Sequence, residues 1–368
     1  MRLFCFPMLL YHNVWKIGSF HYTLVSERNG HNMKSNPHNT LRYFENTDRV
    51  MTEIYYHYTS IGVLFSIVNK QSFWLTSLKS SNDKKELTYT YDRFLADLNS
   101  IIEEEDDDAQ RLFLKKVYDS KDLVHLTKSA QKPNLDSYAL CLSQSRDSLT
   151  HWERYTNGCK GVCLSINLGA LLVLLKRRGL DCFASQLFDI KGIAYLERER
   201  HRFLVKTVFD VYNMVRFGKE EKEEDVDDIR LVLPLAYSEM KNFIKVDSFY
   251  DEDEIRLLYS SLSLNTVSKI IRKVIAPNRG NTEYHKEIYS NYIEMINNLE
   301  IKEKKYSVFS TGIRSYYNLC LKEVWGEGLI PEIILGPMCA QDKKELRAFL
   351  DANGLRGTKI TESKVPIR

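Results

Sequence analysis

The stretch EIYYHYTSIGVLFSIVNKQSFWLTS, residues 53–77, decides the fold class. Residues 54–58 are aromatic and β-prone around His57, which predicts a strand. Thr59-Ser60 supplies hydroxyls that can cap a helix, and Val63, Leu64, Ile67 and Val68 recur at the spacing of one helical face. Phe73-Trp74-Leu75-Thr76 then returns to a strand pattern.

Outward from that stretch the two periods mix without regular strand–helix–strand alternation. Asn82-Asp83 breaks the pattern and caps a helix continuing through Leu95, Leu98, Ile101 and Ile102. Residues 103–108 form a like-charge run that reads as a solvated loop, and further helix is predicted over 109–126, ending before Pro133-Asn134. Strands are predicted at 138–143 and 162–166, joined by a segment with Trp152 and Tyr155 that closes at Gly158 and Gly161. Residues 168–240 read as mostly helical, with a charged stretch at 219–228, and 264–301 reads as helix again. Strands are predicted at 255–260, 314–321, 332–335 and 358–361, and a helix at 341–353 stopped by Gly354. This mixture predicts an α+β domain over residues 51–368 with helical insertions, with no internal repeat and no Gly/Ser linker. Residues 1–50 lack periodicity and read as a loosely ordered extension, with Met33 or Met51 as alternative starts.

Composition bounds the function. The chain has 368 residues, 43% hydrophobic and 27% charged, which is enough to bury a large core. Lys and Arg total 52 against 49 acids, a net charge of +3, so no overall footprint for nucleic acid exists, although a local basic groove stays open. Seven scattered cysteines sit mostly among apolar neighbours, as reduced thiols of a cytosolic protein do. Cys159 and Cys163 lack a second close Cys or His pair to complete a zinc set, so no metal is expected. No apolar run reaches the roughly 18–20 residues a membrane helix needs. Nucleotide fingerprints (GxGxxG, GxxxxGK[ST]), the GxSxG elbow and HExxH are absent.

Four groups of residues carry candidate chemistry. His57, with Tyr58 and Thr59, is either a positioning imidazole or a core histidine tied to a backbone carbonyl. Trp74, Thr76 and Ser77 offer an apolar wall and hydroxyls, or an ordinary buried aromatic. Trp152 and Tyr155 are spaced to share a helical face and close over a planar ligand, or to pack in the core. Glu252, Glu254 and Arg256 alternate on a segment expected to be extended, so their side chains should share one face. An exposed edge strand with ion pairing is the alternative. A carboxylate here can stabilise positive charge on an anomeric carbon and accept a proton, with Glu254 preferred and Glu252 as helper. Arg256 can hold that carboxylate or meet a diphosphate.

Taken in order, Tyr56-His57-Tyr58-Thr59, Phe73 to Ser77 with Asn82-Asp83, His151-Trp152 through Gly161, Lys245 to Arg256, and Ile333 to Pro337 with Ser363, Pro366 and Arg368 resemble the bacterial domain of unknown function 2971 family. More distantly the chain is similar to ADP-ribosyltransferase-like folds, whose sheets open with a His-containing strand and carry an acidic residue late in the chain. That resemblance implies a mixed, split β-sheet, NAD as substrate, and His57 at the ribose beside nicotinamide. It further implies transfer or cleavage of ADP-ribose by a toxin-like or anti-phage effector, with a protein or nucleic-acid acceptor. A non-catalytic module that binds a nucleotide or nucleic acid is the alternative.

Overall fold

The computed structural model describes residues 54–80, 86–119, 136–171, 188–215, 226–261, 301, 303–309, 312–326 and 328–367. The extension at 1–50, the cap at Asn82-Asp83, residues 172–187 of the region expected to be helical and the helix expected over 264–300 lie outside them. Contacts divide the chain into two compact units, where the sequence reads as a single domain.

One unit is helical. It contains α2 (Glu86–Glu104), α3 (Asp108–Asp119), α5 (Glu197–Val215) and α6 (Val226–Met240). Phe94, Leu98, Leu114, Val117, Phe203, Leu204, Val208 and Val232 are buried, so the helical insertions carry their own core. Aromatic contacts add to it: Phe94 meets Tyr237 edge-on at 5.4 Å and Phe113 stacks on Phe209 at 4.9 Å.

The other unit is a mixed sheet with flanking helices. In chain order it contains β1 (Ile54–Thr59), α1 (Ile61–Lys70), β2 (Ser72–Ser77), β3 (Asp136–Ser143), α4 (Leu149–Tyr155), β4 (Val162–Asn167) and β5 (Phe188–Gly192). β6 (Glu254–Ser261), β7 (Lys305–Phe309), β8 (Gly312–Cys320), β9 (Glu332–Leu335), α7 (Lys343–Ala352) and β10 (Lys359–Glu362) complete it. The opening stretch folds as its pattern predicts. Ser60 caps α1, its hydroxyl accepting from Val63 N at 3.3 Å, and α1 stops at Gln71 in a left-handed conformation. Two strands escape the sequence pattern: β5 lies within the region expected to be helical, and β7 precedes the expected late strand as the partner of β8.

The strand order is β10-β9-β4-β1-β3-β2-β8-β7, with β6 on β3 and β5 on β6. β9 and β10 pair in parallel and the other ladders are antiparallel. β6 pairs with β3 along its whole length, Asp136↔Ser261 to Ser143↔Glu254. The opposite edge of β3 is therefore shared: β2 takes Tyr138 and Ala139, and β1 takes Ser143. β1 and β2 thus part from one another along β3, which forks the sheet.

One face of the sheet packs on α1 and α7 in a core that includes Leu64, Val68, Phe73, Leu140, Leu164, Leu257, Ile333 and Leu350. Each such side chain removed from water contributes roughly 1.5–3 kcal/mol. The opposite face carries a smaller cluster of Tyr58, Trp152, Cys159, Cys163 and Ile334 beneath α4. Pleat alternation puts Cys141 and Ser143 of β3, and Glu254 and Arg256 of β6, on that second face, because Leu140, Leu142, Ile255 and Leu257 face the first.

Candidate functional site

The second face is organised by α4. Trp152 is fully buried at its base, edge-on to Tyr58 at 4.9 Å, and its indole N–H donates to Asp147 Oδ1 at 2.7 Å. The chain leaves α4 through Asn157, Gly158 and Cys159, all at positive φ (56°, 66° and 67°). Gly161 then passes against β1 so closely that a Cβ there would stand 2.1 Å from Thr59 O. Gly336 is equally confined: a Cβ would meet Cys159 O at 2.6 Å and Trp152 Cε3 at 3.1 Å. The glycines at these two positions let β1, β4 and the end of β9 close on one tryptophan. Tyr58 braces the same helix, its phenol donating to Ser145 O at 2.7 Å and accepting from Ser148 N at 3.1 Å.

Asp147, just before α4, gathers distant chain. Besides Trp152, it accepts from Ser363 Oγ at 2.6 Å and Lys364 N at 2.7 Å. Burial alone would raise its pKa, but these donors outweigh burial and hold the carboxyl below the ordinary aspartate value. Arg146 beside it makes a bidentate pair with Glu332, Nη2–Oε1 2.7 Å and Nε–Oε2 3.2 Å. Burial opposes ionisation of Glu332 as well; its bonds from Arg146 and Thr361 prevail and lower the pKa.

At the other end of α4 lie the acidic residues. Glu252 is buried, Tyr155 donates its phenol to Glu252 Oε1, and Arg154 Nη1 stands 3.8 Å from the same oxygen. His151 Nε2 lies 3.0 Å from Glu252 O; a carbonyl only accepts, so this nitrogen carries the proton. His151 Nδ1 is then a buried acceptor with no hydrogen-bond partner. Burial lowers the His151 pKa and keeps the ring neutral. Burial, followed by the charges of Glu252 and Glu254, pushes the Tyr155 phenol far up, so Tyr155 is a donor and not a phenolate. Glu254 and Arg256 form a buried pair with side chains 6% and 1% exposed, Nε–Oε1 2.6 Å and Nη2–Oε2 3.0 Å.

The expectation that Glu252, Glu254 and Arg256 alternate along one extended segment is corrected here. Glu252 ends a 3-10 turn, Asp247–Glu252, and Asp253 turns the chain at φ 43° before β6 begins. Gln144 holds that turn, its side chain donating to Asp253 Oδ1 at 2.8 Å and its backbone N–H to Asp253 O at 3.0 Å. Nor are the three exposed. Burial with direct pairing replaces the edge-strand alternative.

Tyr58, Trp152, Tyr155, Glu252, Glu254 and Arg256 are therefore brought together around α4 and the start of β6. His57 is held apart by the pleat: it shares a face with Tyr55, and its ring stands 6.2 Å edge-on from Phe73. Its Nδ1 lies 3.1 Å from Cys141 O and so donates from β1 across to β3. Burial lowers its pKa. Thr59 is buried where Gly161 passes. Trp74, Thr76 and Ser77 lie on the other branch of the fork. Trp74 stacks on Tyr316 at 4.2 Å, Thr76 Oγ1 donates to Ala139 O at 3.4 Å, and Ser77 is buried. Sequence reasoning missed Asp147, Arg146 and Glu332, whose partners are 186 and 216 residues away and leave no local pattern. His151 carried a signal, standing next to Trp152 in the block that runs through Gly161.

Among the described residues no helix is long and apolar enough to cross a membrane. Comparison with protein-family models, curated proteins and solved structures returns no match to this chain.

Proposed function

We propose that the α4 face of the sheet binds NAD and cleaves its nicotinamide–ribose bond, for hydrolysis or for transfer of ADP-ribose to a protein or nucleic-acid acceptor, in a toxin-like or anti-phage effector. The observation that carries this reading is the meeting of two buried carboxylates, Glu252 and Glu254, with Tyr155 beside a forked sheet. In the step proposed, the C–N bond breaks, the electron pair leaves with nicotinamide, and a water or acceptor oxygen attacks the anomeric carbon while losing its proton. Glu254 has both oxygens bonded to Arg256, which disperses its charge. Glu252 is thus the better acceptor for the proton, and the Glu254–Arg256 pair sets the field around it. His57, held on the opposite face of β1 with Nδ1–H committed to Cys141 O, takes no part in this step.

The test is incubation with labelled NAD and cell extract, with nicotinamide release and label transfer followed separately in protein and nucleic acid. Glu252→Gln should lower turnover on the order of 10²-fold with NAD binding little changed. Full turnover by that variant, or no NAD binding by the natural chain, overturns the assignment. A nucleotide- or nucleic-acid-binding module without catalysis is the second reading, favoured by the internal partners that Arg256 and Tyr155 give to both carboxylates. It predicts binding without nicotinamide release.

A further inference from the structure

The helical unit holds a second cluster of ionisable groups that the reading above does not use. Glu197 and His201 stand one turn apart on α5, and Asp97 faces them from α2. His201 Nε2 lies 3.8 Å from Asp97 Oδ1 and 3.8 Å from Glu197 Oε1. Hydrogen bonds from a ring nitrogen close to about 2.7–3.2 Å, so neither contact is one. The nitrogen itself is wholly buried and has no hydrogen-bond partner. In a neutral ring this buried nitrogen goes without a hydrogen bond, and a cation shared with the two carboxylates would satisfy it.

Bonds of about 2.0–2.2 Å from nitrogen and oxygen donors to a common ion place the donors roughly 3–4 Å apart. The two 3.8 Å separations fall in that interval, and the ligand atoms of all three residues lie within 4.8 Å of one another. We propose that Asp97, Glu197 and His201 form a site for a divalent transition-metal cation such as Zn2+, which ties α2 to α5.

One imidazole with two carboxylates suits such an ion better than Mg2+ or Ca2+, which prefer all-oxygen shells. Arg200 belongs to the second sphere. Its Nε donates to Asp97 Oδ2 at 2.8 Å and its Nη2 to Oδ1 at 3.4 Å, which fixes the carboxylate while Oδ1 keeps a lone pair towards His201. Its positive charge also offsets one carboxylate, so the site binds less tightly than three bare ligands would. Glu197 is 66% exposed, so ions enter from its side.

The test uses the full chain and Co2+ as a spectroscopic stand-in, then Zn2+ by competition. One equivalent of Co2+ should bind with ligand-field bands of nitrogen and oxygen donors and without a thiolate-to-cobalt charge-transfer band. His201→Ala and Glu197→Gln should each weaken binding about 10-fold or more. Saturating Zn2+, about 100-fold above its Kd, should raise the natural chain's Tm by about 5 °C and the His201→Ala Tm by much less. Glu197→Gln alters an exposed side chain and keeps the test valid if His201→Ala folds poorly. Absence of binding at millimolar Co2+, a thiolate band, or affinity in both variants undiminished from that of the natural chain overturns the proposal.

Discussion

Arg256 is the residue on which the candidate site turns. Its guanidinium and the Glu254 carboxylate are both withdrawn from water, and their mutual attraction roughly balances the desolvation of the pair. Removing one partner is a different matter, because the other is left charged in the interior. Arg256→Met should therefore destabilise the protein by about 3–5 kcal/mol in urea unfolding, whereas the double change Arg256→Met with Glu254→Leu should recover most of that loss. Equal loss in the single and double variants would show that Arg256 acts through packing. Asp147 makes a pH prediction. Its folded-state carboxyl ionises below the ordinary value, because the Ser363, Lys364 and Trp152 donors outweigh burial. The stability linked to it is present above the unfolded pKa of about 4 and is lost as pH falls through the lower folded value. The gap in Tm between the natural chain and Asp147→Asn should be full at pH 7 and shrink on acidification below about pH 4. A gap that widens in acid would mean the sign of the shift is wrong.

At the level of elements, the turn from α4 into β4 separates two uses of glycine. Gly158 has a left-handed φ of 66° with open space where a Cβ would go, so Gly158→Ala carries only a conformational cost, roughly 1 kcal/mol. Gly161→Ala would drive a Cβ to 2.1 Å from the Thr59 carbonyl oxygen, a clash between two backbones that no rotamer relieves. It should cost on the order of 3 kcal/mol or more and loosen Trp152, which thermal melting and tryptophan fluorescence would report. Similar melts for the two variants would contradict that close packing. Elements of this kind were partly legible. Strand β1, helix α1 and strand β2 follow directly from alternation, Ser60 and the apolar spacing of Leu64, Ile67 and Val68. The 3-10 turn at Glu252 was not, because Asp253 at φ 43° is tied to Gln144, which is 109 residues distant in sequence. β5 was missed for a related reason: within a region of helical spacing, its pairing with β6 decides.

At the scale of the whole chain, the α4 face is assembled from β1, the start of α4, the start of β6, β9 and the residues after β10. Periodicity locates each piece but carries no information on which pieces meet, since strand partners are chosen by tertiary packing. The segment after β10 illustrates this. Ser363 Oγ and Lys364 N reach Asp147, and Val365 and Ile367 pack on the cluster around Trp152. Sequence alone offered only a Ser, a Pro and an Arg in the last block. The segment thus supplies donors to the carboxylate that anchors α4 and apolar cover to the helix's buried tryptophan. Deleting residues 363–368 removes two hydrogen bonds to a charged group and two partly buried aliphatic side chains, together about 3–5 kcal/mol. The expected fall in Tm is about 5 °C or more, most of it beyond the effect of Ser363→Ala alone, which removes a single donor and should cost about 1–2 kcal/mol. Asp147→Asn in the truncated chain should then have a smaller further effect, because two of the three donors that made its charge favourable are gone and Trp152 alone remains. Tm values unchanged by the deletion, or fully additive effects of the deletion and Asp147→Asn, would place the segment outside the packing of the site.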